Sequence, residues 1–99
     1  MEWTWDPDKD RLNRSKHGIS FDTAVKVFDD PFAFSEQDRH VGGEERWQTI
    51  GMIGGIAVVL VAHTFSVDED GIEAGRIISA RRATNRERTR YEQERRRYF

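Results

Sequence analysis

The chain has no cysteine among its 99 residues, which removes disulfides, thiolate nucleophiles and cysteine-ligated zinc together. It has no long hydrophobic run either. The longest, Ile56 to Ala62, is seven residues and falls far short of a membrane span. The amino-terminal stretch Met1-Glu2-Trp3-Thr4-Trp5-Asp6 lacks both the basic region and the apolar run of a signal peptide. A soluble, cytoplasmic protein that touches no membrane is expected. The histidines His17, His40 and His63 are too widely spaced for a local metal-ligand motif. Asp68-x-Asp70-Gly71 has the start of a calcium loop, but Ile77 stands where its terminal glutamate belongs. No Walker loop, dinucleotide fingerprint or nucleophile elbow is present. The expectation is therefore no metal and no cofactor. With no repeat, low-complexity tract or linker, residues 1–99 make one domain with one modest core.

What is present is charge, unevenly placed. The formal net charge is −2, which alone speaks against a polyanionic partner. Yet residues 76–99 carry nine arginines against three acids, whereas residues 1–75 carry seven basic and fifteen acidic side chains. The basic end suits a nucleic acid, an acidic protein or the chain's own acidic half.

The pattern predicts elements in the order β-α-α-β-β-β-β-α. Glu2–Trp5 alternates as a short strand. Asp6 is an N-cap followed by Pro7 at the first helical position, and the helix runs to about Lys16 and stops at Gly18. It is polar, with Leu12 its one aliphatic residue and Lys9, Asn13 and Lys16 on one face. Ser20 caps a second helix whose Phe21, Ala24, Val25 and Phe28 form an apolar stripe. Phe32–Gln37 alternates as a half-buried strand, and a polar loop follows to Glu45. Arg46–Ile53 and Ile56–Thr64 form a hairpin about Gly54-Gly55, the second strand apolar enough to be central. Gly75–Ala80 is the last strand. Thr84-x-x-Glu87 reads as a capping box opening a helix over about 85–97. Hairpins and paired helices together imply an α+β fold, a curved antiparallel sheet with helices packed on it.

Lysines, arginines and histidines without metal suit one reaction above others, the transesterification of RNA. The 2′-hydroxyl attacks the adjacent phosphate, a base takes its proton, an acid protonates the leaving 5′-oxygen, and cations stabilise the added charge. His63, at the end of the central strand, is the geometric candidate for proton transfer; its competing reading is a histidine tied to a backbone carbonyl. His17, in Lys16-His17-Gly18, reads equally as a cation complementing a helix C-terminus. His40 reads as surface. The hairpin brings Arg46 near His63 on one rim. Alternation places Arg81 on a face with Ser79 and Ile77 and turns Arg82 the other way.

As a set, these motifs resemble the BrnT toxin family. The matching pieces are Trp5-Asp6-x-x-Lys9 with Asn13 and Lys16-His17-Gly18, Phe21-x-x-Ala24, Phe28-Asp29-Asp30-Pro31, and Gly43-Glu44-Glu45-Arg46-Trp47 with Ile50-Gly51. Arg76-Ile77-Ile78-Ser79-Ala80-Arg81-Arg82-Ala83-Thr84, leading into Glu87-Arg88 and Tyr91-Glu92, completes the set. The resemblance implies a RelE-like fold and a ribonuclease toxin of a type II toxin–antitoxin pair, cleaving RNA without metal. It also implies a BrnA-type ribbon-helix-helix antitoxin, with operator DNA reached only through that antitoxin. Lys9, Arg46 and Arg81 then become catalytic candidates with His63, and Lys16, His17, Arg76 and Arg82 become RNA-binding candidates. The acidic loop from Asp68 to Gly75 is the feature least suited to RNA and points instead to a basic partner. The competing function is a non-catalytic module that binds an antitoxin or nucleic acid.

Overall fold

The computed structural model describes residues 1–98. Its elements in chain order are β1 (Glu2–Thr4), α1 (Pro7–His17), α2 (Phe21–Ala24) continued as a 3-10 helix (Val25–Asp29), β2 (Phe34–Val41), β3 (Glu44–Ile53), β4 (Ala57–His63), β5 (Ser66–Val67), β6 (Glu73–Arg82) and α3 (Asn85–Arg96). The sheet runs β1-β6-β4-β3-β2, with β5 pairing β6. The α+β class stands, and β4 is central as its apolar run requires.

Helix starts follow local chemistry. The Asp6 carboxylate accepts from the Asp8 N–H at 2.8 Å, Pro7 opens α1, and Gly18 ends it at φ 71°. Thr84 and Glu87 form a complete capping box at α3.

Four departures from the sequence pattern have physical causes. First, the sheet is mixed, because β1 lies parallel to β6 (Trp3 opposite Gly75) while all other pairs are antiparallel. That pairing joins distant parts of the chain and has no hairpin signal. Second, residues 38–45 are not a loop. β2 extends to Val41 and turns through Gly42-Gly43, both at positive φ, into β3. The end of this hairpin projects into solvent, so its residues are polar on both faces. Third, the second helix tightens to 3-10 after Ala24. This seats Val27 directly over Gly51, where a Cβ would come within 2.8 Å of the Val27 side chain. Fourth, Leu12 is exposed and the buried residue of α1 is Asn13. Its Nδ2 donates to the carbonyls of Ile19 and Ala80, both at 2.9 Å, and its Oδ1 accepts from the Ala80 N–H at 3.0 Å. α1 thereby covers the edge of β6 beyond the reach of β1, satisfying backbone groups that would otherwise lie buried and unpaired.

Apolar side chains cover both faces of the sheet. On one face Phe21, Ala24 and Val27 pack on Val59, Val61, Ile77 and Ala80. On the other, Tyr91 of α3 covers Ile50, Val58 and Leu60. The Tyr91 hydroxyl donates to Asp30 at 2.5 Å, which ties α3 to the segment before β2.

Candidate functional site

The register decides which candidates meet. Leu60 lies opposite Arg81, Ala62 opposite Ser79, and then His63 opposite Ile77, so Ile78 is an extra residue in β6. Such a bulge reverses the alternation of everything upstream of it. Ile77 accordingly joins the core beside Val61, not the face of Arg81 as simple alternation predicts. Arg76 in turn moves to Arg81's side of the sheet, where it reaches Glu44 at 2.6 Å.

Arg46 and His63 are also separated. Trp47 is the residue opposite His63, so Arg46 points to the other face. Three arginines from two strands, Arg46, Arg76 and Arg81, therefore share the α3 side of the sheet. Tyr91 covers only the middle of that side. The row Gln48–Ala62–Ser79 and the outer positions Arg46 and Arg76 remain partly exposed.

Their electrostatic states differ. Arg81 grips Glu87 with both terminal nitrogens, at 2.7 and 3.0 Å. That bond raises the guanidinium's pKa and lowers the Glu87 carboxyl's, each shift caused first by the other partner. The Glu87 oxygen that takes Arg81 also accepts the Thr84 N–H at 2.9 Å, so the phosphate-binding candidate and the α3 cap share one carboxylate. Arg46 has a buried Nε with no hydrogen-bond partner among the described residues. A donor buried this way is costly unless a ligand or solvent completes it.

Lys9, Lys16 and His17 lie along α1 beside Ile78 and Ser79, in a shallow groove at the edge of β6. They approach the arginine face from the side through Ser79. His63 goes elsewhere. It is 4% exposed, with Nε2 2.7 Å from the Thr49 hydroxyl and Nδ1 2.9 Å from the Thr64 carbonyl. Nδ1 must carry the proton it donates to that carbonyl, which leaves Nε2 to accept from Thr49. The Trp3 and Phe28 rings meet its ring edge-on, and burial lowers its pKa. His63 is thus built in as a neutral pin between β3, β4 and β1. Arg82, opposite Val59, lies on the α1/α2 face away from Arg81.

Two contributors to this face carry no local mark in the sequence. Glu87 was visible as a cap, but its bond to Arg81 was not. Arg90 pairs with Glu36 and stacks over Phe34, 5.0 Å from the ring centre. Among the described residues no three His, Asp or Glu side chains gather as metal ligands. No helix there is long and apolar enough to cross a membrane.

The chain is thus of the class of small α+β proteins with a mixed sheet, one face of which gathers arginines beside a lysine-bearing helix. Residues 5–87 match the family described as the ribonuclease toxin, BrnT, of type II toxin–antitoxin systems, and the chain belongs to that family. Its fold resembles that of the Brucella abortus ribonuclease toxin BrnT, known from a crystal structure. The TM-score is 0.61 at 26% identity, over 86% of this chain and 99% of the other. No curated protein matches it in sequence.

Proposed function

We propose that this chain is the toxin of a type II toxin–antitoxin pair and a metal-independent endoribonuclease acting in the cytoplasm on the α3 side of its sheet. The family assignment supports the class. The observation that carries the site is the bulge at Ile78, which brings Arg76 onto one face with Arg46 and Arg81. In this reading the 2′-oxygen bonds to phosphorus, the bond to the 5′-oxygen breaks, and a 2′,3′-cyclic phosphate and a 5′-hydroxyl remain. Arg46 and Arg81 hold the non-bridging oxygens, the second by leaving Glu87. Lys9 and His17, in the groove beside Ser79, supply proton transfer, and Lys16 and Arg76 guide the strand. His63 acts at one remove, by fixing β3 and β4. A BrnA-type ribbon-helix-helix antitoxin neutralises the toxin and alone contacts operator DNA.

Purified free chain is expected to cleave RNA equally with and without chelator. Arg81→Ala should lower the rate by about 100-fold or more while thermal melting shows a folded protein. Cleavage abolished by chelator would remove the metal-independent mechanism. Intact RNA with tight antitoxin binding would favour a purely binding role.

A further inference from the structure

A second groove lies on the opposite side of the sheet from Arg81. It has a volume of about 560 Å³ and sits between the α1–α2 junction and the β3–β4 hairpin. Its floor is apolar, formed by Ile53, Ala57 and Val59, and its rim carries Arg14 from α1 and Arg82 from β6. Both arginines are exposed, and among the described residues neither has a hydrogen-bond or ion-pair partner for its side chain. Arg76, Arg81 and Arg90, by contrast, are each matched by a carboxylate of this chain. The hairpin that walls the groove ends in Ile56, 88% exposed, beside Ala57. A partner seated on the apolar floor at Ala57 would also reach Ile56, its neighbour in the chain.

The charges choose between partners. Asp10 and Asp22 also line the groove. A nucleic-acid strand, charged at every residue, would meet both aspartates. A peptide with a single carboxylate next to an apolar side chain can offer its acid to Arg14 and Arg82 and its apolar group to Val59, and so brings only one negative charge near the aspartates.

We infer that this groove holds a segment of the protein antitoxin bearing a carboxylate beside an aliphatic or aromatic side chain. The inference rests on the reading of the chain as a toxin with a protein antitoxin. It divides the adjacent pair at the end of β6 between two partners, with Arg81 serving RNA on one face and Arg82 serving the antitoxin on the other.

The probe is the purified product of the reading frame adjoining this chain's own, titrated against the full chain. Arg14→Glu and Ile56→Ser should each weaken binding by about tenfold or more, and the double variant by about 100-fold. Neither residue lies on the RNA face, so RNA cleavage by each free variant should match that of the unaltered chain. Unaltered antitoxin affinity in the double variant would overturn the assignment. So would loss of RNA binding by Arg14→Glu with antitoxin affinity intact, which would give the groove to RNA. An adjoining product that fails to bind the unaltered chain overturns it as well. An unaltered chain that binds its antitoxin but leaves RNA intact would refute the ribonuclease reading and leave the docking result standing.

Discussion

Asn13 and His63 are the buried polar side chains on which the position of the candidate site depends. Asn13 bonds both backbone groups of Ala80, next to Arg81, and so fixes where α1 and its Lys9 and Lys16 lie against β6. Asn13→Ala leaves three backbone groups without this partner and should cost about 2–3 kcal/mol in denaturant unfolding. His63 is kept neutral by burial, against the weaker upward pull of its bond to the Thr64 carbonyl. Its folded pKa is therefore below the ordinary 6.5, and the unfolded chain takes up this proton first as pH falls. The contribution of His63 to stability is complete above 6.5 and declines as pH drops from there toward the folded value. Chemical denaturation of the wild type and His63→Gln across that range should show a stability difference that shrinks on acidification; a constant difference would contradict it. Both residues could be read as exposed from the sequence, since a polar residue at a strand end or on a polar helix carries no local mark of burial.

α3 is the element whose composition says least about its role. Its arginines suggest a solvated helix, yet Tyr91 is 1% exposed and covers the middle of one face of the sheet. Its start depends on Glu87, which serves the cap and Arg81 together. Glu87→Ala should cost about 1–2 kcal/mol, mostly through the cap, because the ion pair is partly solvated. Amide hydrogen exchange should show the first turn, near Arg86 to Arg88, opening faster while the protection of β4 is retained. The same variant frees Arg81 for phosphate, so RNA affinity should hold or rise even as the helix loosens. α1 and the start of α3 were legible in the sequence because caps act over three or four residues. The long β2 was not, because its outer half projects into solvent and carries no apolar alternation, nor was the 3-10 turn, which is set by the packing of Val27 on Gly51.

At the scale of the whole molecule, a net charge of −2 coexists with a local arginine face, so RNA binding should be local, electrostatic and salt-sensitive. If Arg46, Arg76 and Arg81 each displace a counterion from single-stranded RNA, the slope of log affinity against log salt should be about −2. Arg76→Ala should flatten that slope by somewhat less than one, as measured by fluorescence anisotropy. The acidic loop between β5 and β6 lies outside the arginine row and does not interrupt it. By itself the sequence determined the α+β class, the family, the helix starts, the central strand and the residue types available for chemistry. These follow from local propensity and from motifs spread along the chain. Only the tertiary structure decided which of those residues share a face. One extra residue at Ile78 reverses the alternation before it, a parallel β1 helps to close over His63, and both effects come from pairings between segments far apart in the chain.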